Sequence, residues 1–162
     1  MDEAKKNWKV PDWSREAPQR FWDPGKKLLL SIRDYQKSTG KSPFSLMRKK
    51  ICVLRHRFWS VVCSSEIDLN CQIGGGLLLP HPYGIVIHPK AVIGENCLIF
   101  QNVTLAGEVE LKHHVDVGAG AFLRGPITVN ANVKIGANAV LTTDAEPNSV
   151  YIGVPAKRLI KD

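Results

Sequence analysis

Ten aliphatic side chains recur at an unbroken step of six, from Ile87 through Ile93, Ile99, Leu105, Leu111, Val117, Leu123, Val129 and Ile135 to Leu141. Two positions before each stands a second apolar residue, often a small one: Ile85, Ala91, Cys97, Val103, Val109, Val115, Ala121, Ile127, Val133 and Ala139. A period of six matches neither the 3.6 residues of an α-helical turn nor the strict alternation of a strand. It suits a coil in which each hexad makes one short strand and one corner, with the inward aliphatic filling the axis and the smaller residue fitting the bend. Ile67, Ile73 and Leu79 keep the same step, but eight residues separate Leu79 from Ile87. Two extra residues therefore fall within Pro80–Gly84, where a side chain can be lifted out of the coil.

Ahead of the repeat the period changes. Apolar residues recur at helical spacing in Lys27–Gln36 (Leu28, Leu29, Ile32, Tyr35) and, after a Gly40–Pro43 breaker, as Met47, Ile51, Leu54, Phe58 and Val61. Two helices are predicted. The stripe on the second faces Arg48, Lys49, Lys50, Arg55 and Arg57, and its expected partner is its own domain or a neighbouring subunit rather than a membrane. Trp8, Trp13, Phe21 and Trp22, interleaved with Pro11, Pro18 and Pro24, suggest an extended arm docked by its aromatic rings. The chain thus divides into an arm and helical region over 1–62 and a repeat domain with a C-terminal tail over 63–162.

Charge follows the same division. Residues 1–60 hold 15 Lys and Arg against 6 Asp and Glu, a net +9, whereas residues 61–162 hold 7 against 9, a net −2. The basic third reads as a solvated helical surface able to attract anions. No helix-turn-helix, zinc or RNP pattern accompanies it, which argues against a nucleic-acid partner. The charged start Met1–Lys9 carries no apolar signal core, no run of 18 apolar residues occurs, and a cytoplasmic location is expected. Cys52, Cys63, Cys71 and Cys97 form no CxxC pair and read as reduced, buried thiols.

The block from Ile73–Gly74–Gly75–Gly76 through Pro80–His81–Pro82–Tyr83–Gly84–Ile85–Val86–Ile87 carries a resemblance. So do Ala91–Val92–Ile93–Gly94, Gln101–Asn102–Val103–Thr104–Leu105, Gly118–Ala119–Gly120–Ala121, Ile135–Gly136–Ala137–Asn138–Ala139–Val140 and Gly153–Val154–Pro155–Ala156–Lys157. Together, over roughly residues 64–160, they resemble the serine acetyltransferases of the hexapeptide-repeat class. That resemblance implies a left-handed parallel β-helix, mainly β, preceded by a small helical region. It also implies a homotrimer with sites between subunits and acetyl-CoA as co-substrate. His81 would be the general base, an imidazole that titrates near neutrality being suited to deprotonating a hydroxyl. Glu66, fifteen positions earlier where the family often has aspartate, would orient it. Ala119 and Ala137, eighteen residues apart, would line the pantetheine groove, and Lys157 with Arg158 would meet the CoA phosphates. Zinc is not expected, because the His-x4-His spacing of the γ-class carbonic anhydrases on this fold is absent; His88, His113 and His114 read as corner residues.

The sequence also departs from the family. Pro80 stands where an acidic residue usually precedes the catalytic histidine, and hexad spacing from Leu105 to Leu111 leaves no room for the Arg-His loop that holds the serine carboxylate. L-serine is the expected acceptor, with a sugar or other hydroxyl compound as the alternative. A catalytically silent scaffold is the reading from another class. Gly74–Gly76 lacks the Gly-Lys-Ser sequel of a phosphate-binding loop and reads as a corner.

Overall fold

The structure, a computed structural model, describes residues 9–38, 40 and 42–160. Trp8 and the charged stretch 1–8 lie outside the described residues. Among the described residues, fourteen short strands follow two α-helices. Strands β1 (Glu66–Ile67), β3 (Val86–Ile87), β6 (Thr104–Ala106), β9 (Phe122–Arg124) and β12 (Val140–Leu141) stack in parallel as one face of a prism. A second face holds β2 (Gln72–Ile73), β4 (Val92–Ile93), β7 (Val109–Leu111) and β10 (Ile127–Val129). The third holds β5 (Leu98–Ile99), β8 (Asp116–Val117), β11 (Lys134–Ile135) and β13 (Val150–Ile152), closed by the antiparallel β14 (Lys157–Arg158). This is the parallel β-helix predicted from the six-residue step.

Register reports the repeat directly. Ile87 pairs with Leu105, Leu105 with Leu123, and Leu123 with Leu141, one coil of three hexads at a time. The first coil is longer, since Ile67 pairs with Ile87 and Ile73 with Ile93, and the surplus lies in the Pro80–Gly84 corner. All twenty residues of the two apolar series are buried. One departure was not anticipated. After Leu141 the step shortens to four, so Ala145 bridges Val129 and Tyr151 pairs with Ile135, and the last coil is tighter than those before it.

Corners explain the scattered Asn and Gly. Asn96, Asn102, Asn132 and Asn138 all have positive φ, as do Gly76, Gly84 and Gly120, each three residues from an inward aliphatic. Asn tolerates the left-handed region better than most residues. Glycine is required where the neighbouring coil's Asn side chain projects: a Cβ at Gly84 would collide with Asn102 Oδ1, and one at Gly120 with Asn138 Oδ1. Gly74, the corner that superficially resembled a phosphate loop, meets the backbone of Gly94 and Glu95 at 2.7 Å from an added Cβ.

Helix α1 (Pro24–Lys37) starts on a proline at its first turn and buries Leu28, Leu29 and Ile32 against the end of the β-helix. Helix α2 (Pro43–Cys63) is capped by Ser42, whose hydroxyl accepts the Ser45 N–H at 3.2 Å, and stops at Ser64 in the left-handed conformation. It lies against α1 through an Arg55–Asp34 ion pair at 2.9 Å and Lys49 over the Tyr35 ring. Its Met47–Val61 stripe does not pack on its own domain, as one of the expected partners required: those side chains are exposed, and the helix buries Cys52 and Cys63 instead.

The arm docks by polar contacts more than by its rings. Glu16, buried, is held by Arg33 and accepts the N–H groups of Gly76 and Leu77 at 2.8 and 3.0 Å. Asn96 accepts the Asp12 N–H at 2.8 Å and donates to Val10 O. Trp13 covers Gly75 and sits under Arg33, but Phe21 is 90% exposed. The reason is local: the Gly74–Gly76 corner presents backbone N–H groups that a carboxylate satisfies and an aromatic ring does not. All four cysteines are unbridged and buried. Burial pushes up the thiols of Cys63, to about 11, of Cys71, and of Cys97, to about 12, which leaves these three poor nucleophiles.

Candidate active site

The longer corner of the first coil is stapled in place from beneath. Ser65 Oγ donates to Pro82 O at 2.7 Å and accepts the Ile85 N–H at 3.0 Å, while the Gly84 N–H donates to Cys63 O at 3.2 Å. Gly25, in the first turn of α1, approaches so closely that an added Cβ would lie 2.9 Å from Leu79 O and 3.1 Å from Pro82. The two surplus residues are thereby held rigidly, with His81 exposed on their outer side. Its ring lies 6.3 Å from that of Phe100, one coil further along, at an interplanar angle of 32°.

Glu66 opens β1 with its side chain outward and exposed, level with Val86 on the next coil. Among the described residues no hydrogen bond or ion pair joins Glu66 to His81. The chain nevertheless brings them to the same coil, because α2 ends at Cys63, whose carbonyl anchors the His81 corner, and Glu66 follows three residues later.

From the His81 corner a single edge of the prism runs along the rest of the β-helix. Backbone hydrogen bonds tie Asn102 N–H to Tyr83 O at 2.9 Å, Gly120 N–H to Gln101 O at 2.9 Å and Asn138 N–H to Ala119 O at 2.8 Å. Tyr83, Gln101, Ala119 and Ala137 are thus equivalent positions on successive coils. With coils spaced at about 4.8 Å, Ala119 lies about 10 Å and Ala137 about 14 Å along the edge from the Tyr83 level. Neither has a side chain beyond Cβ, and Gly118 lets the coils close up, an added Cβ there falling 2.7 Å from Ala137 N. The result is a shallow, small-walled track with His81 at one end.

At the other end Val140 N–H reaches Gly153 O, and the chain reverses through Val154–Ala156 into β14. Lys157 pairs with the outward Ile152 and Arg158 with the inward Tyr151, so the two exposed cations leave β14 on opposite faces. Lys157 shares the outer face. Gln101 escaped the sequence reading. Its Oε1 is buried without a hydrogen-bond partner, one coil from Tyr83 and adjacent to Phe100. The signal was available, since a polar residue occupies the ladder position that Ala119 and Ala137 fill with methyl groups.

Other histidines serve the corners. His88 accepts the Lys90 N–H at Nδ1, His114 takes a left-handed corner with its ring on Asn132 Oδ1 at 2.9 Å, and His113 lends its carbonyl to Asn132 N–H. Between β6 and β7 the chain turns on Gly107 and Glu108 alone, without an inserted loop.

Comparison with known proteins places this arrangement. No family model matches the chain. The serine acetyltransferase of Helicobacter pylori strain 26695 is 40% identical over 105 residues, covering 60% of this chain and 61% of that protein. A serine acetyltransferase solved in complex with CoA superimposes with a TM-score of 0.72 at 29% identity, over 85% of this chain and 57% of that one. The Neisseria gonorrhoeae serine acetyltransferase in complex with serine gives 0.71 at 28% identity, over 86% and 58%. The chain spans 41% to 61% of the length of curated relatives such as these. In sequence along the β-helix, and in fold across helices and β-helix together, this chain is similar to the serine O-acetyltransferases.

Proposed function

We propose that this chain transfers an acetyl group from acetyl-CoA to the hydroxyl of L-serine, giving O-acetyl-L-serine for cysteine biosynthesis. The observation that carries the reading is the single edge that links the rigid His81 corner to the Ala119–Ala137 track and ends beside Lys157. A pantetheine arm lying on that track points its thioester towards His81, with the CoA phosphates near Lys157 and, from the opposite face of β14, Arg158.

His81 takes the proton of the acceptor hydroxyl as its oxygen attacks the thioester carbonyl. The carbon–sulfur bond then breaks, and the departing thiolate recovers the proton from the imidazolium. Glu66 stabilises the imidazolium and sets the ring's orientation once a ligand closes the site. Gln101 Oε1 offers a buried acceptor for a donor on either substrate. Three chains packed face to face would place a neighbour's surface against this edge and complete the cleft, in a cytoplasmic homotrimer.

One observation favours a second acceptor. The two-residue Gly107–Glu108 turn supplies no arginine for a substrate carboxylate, which suits a sugar or another hydroxyl compound lacking that group. Thiol release from acetyl-CoA, followed with a chromogenic disulfide, tests both readings. Release with L-serine, and its loss with serinamide or ethanolamine, supports a carboxylate-reading site. Release with a hexose or nucleotide sugar but not with L-serine moves the acceptor while leaving the transferase. No release with any hydroxyl compound, together with no shift in melting temperature on adding CoA, overturns the transferase.

A further inference from the structure

Along α2 the residues Phe44, Met47, Ile51, Leu54, Phe58 and Val61 recur at steps of three and four and so lie in one stripe. Each is more than half exposed, from Ile51 at 52% to Val61 at 78%. The opposite side of the helix is the one the fold uses: His56 sits between Ser31 Oγ and Ser60 Oγ at 3.3 and 3.4 Å, and Arg55 pairs with Asp34 of α1.

Both borders of the stripe are cationic. Arg48 follows Met47 on one side, Lys50 and Arg57 precede Ile51 and Phe58 on the other, and Pro43–Cys63 contains no Asp or Glu. A second copy of α2 laid on this stripe would meet cation with cation along both borders, which opposes self-association there. The charge pattern asks for an anionic partner. Aromatic residues then distinguish a membrane from an acidic protein helix. Phe58 packs edge-on against Trp59 at 5.0 Å, Trp59 against Trp22 of the arm at 5.6 Å, and Phe21 beside it carries Lys27 over its ring. Exposed Phe21 and Trp22 of the arm thus stand beside the stripe, linked to it through a Trp59 that is partly buried against the core, and add Trp and Phe next to Lys and Arg, the composition favoured at the lipid headgroup boundary.

We infer that α2, with Phe21 and Trp22, is a membrane-surface element that lays this chain on a bilayer of anionic phospholipid. The helix lies in the plane of the interface, its stripe among the upper acyl carbons and Arg48, Lys50 and Arg57 among the phosphates. No described helix is long and apolar enough to cross a membrane. The inference rests on α2 and the arm and stands apart from the transferase reading.

The test is co-sedimentation of the full chain with vesicles of phosphatidylcholine alone and of phosphatidylcholine mixed with phosphatidylglycerol. Binding is expected with the mixed vesicles at low salt, with a blue shift of tryptophan emission, quenching by brominated acyl chains and release as salt rises. Leu54→Glu with Phe58→Glu should abolish it. Lys50→Glu with Arg57→Glu should weaken partitioning at least about tenfold. These side chains are exposed, so circular dichroism and melting temperature should match the parent. Absence of binding to either vesicle overturns the inference, as does equal binding by the Leu54/Phe58 variant. If vesicles are ignored and that variant instead lowers the mass seen by light scattering, the stripe is an interface between copies. If vesicles are ignored and an amphipathic acidic peptide binds, the partner is a protein. Either of these also overturns it.

Discussion

Glu16 and Arg33 meet as a bidentate pair, Nε to Oε2 at 3.0 Å and Nη2 to Oε1 at 2.9 Å, with only 8% and 11% of their side chains exposed. Arg33 also donates to Ile73 O and Gly74 O, so one side chain joins the arm, α1 and the first coil. Removing Arg33 strands the buried Glu16 carboxylate, and neutralising Glu16 strands the buried Arg33 guanidinium. Glu16→Gln or Arg33→Met should therefore cost about 3–5 kcal/mol in urea unfolding, and the double variant less than the sum.

The interior stack sets a second expectation. Leu105 and Leu123 are fully buried between like residues of adjacent coils. Leu105→Ala should lose about 2–5 kcal/mol, and Leu105→Asp should prevent folding, because neither coil offers its carboxylate a partner. Soluble yield and thermal melting report both.

At the His81 corner, His81→Ala should lower turnover about 10²–10⁴-fold while leaving the melting temperature unchanged, since the ring is exposed. Glu66→Gln should reduce turnover less. Unchanged turnover for His81→Ala would exclude it as the base.

On the track, Ala137→Leu adds bulk at an exposed position one coil beyond Ala119. The expected result is a higher KM for acetyl-CoA, with the acceptor KM and stability little altered. A change confined to the acceptor would move the cofactor elsewhere.

Burial between α1 and α2 holds the His56 pKa below its ordinary value, against weaker opposing contributions from Ile67 and Asp68. In the window between that lowered value and about 6.5 the unfolded chain binds the proton and the folded chain does not. His56 thus contributes stability that is complete above the window and lost as pH falls through it. The melting temperature should drop more steeply between pH 7 and pH 5 in the parent than in His56→Gln.

The six-residue step made the β-helix legible because a periodic interior forces every inward position to be apolar, and Ile87 through Leu141 leave no other arrangement. The surplus corner around His81 was legible as an interruption of that step. The shortened step from Leu141 to Ala145 was not, since Thr142–Thr143–Asp144 ends the pattern without announcing where it resumes. Contacts across the fold carry no local period, so Glu16 with Arg33 and Asn96 with the arm had no signature. The α2 stripe was visible as a stripe, but amphipathicity alone does not say whether a helix's own domain covers its apolar face. For the site, equal offsets from the inward residues aligned Ala119 with Ala137, whereas the relation of Glu66 to His81 depends on a corner whose path no repeat dictates.

Strand β14 runs against β13, whereas every other strand pairing in the three sheets is parallel. A stack of parallel coils is otherwise a template that another molecule's coil could extend. Here the third face ends in a reversed strand bearing Lys157 and Arg158, and α1 covers the opposite end with Leu28, Leu29 and Ile32. Within the described residues, the third face at one end and the first coil at the other therefore offer no free parallel edge for another molecule's coil to extend.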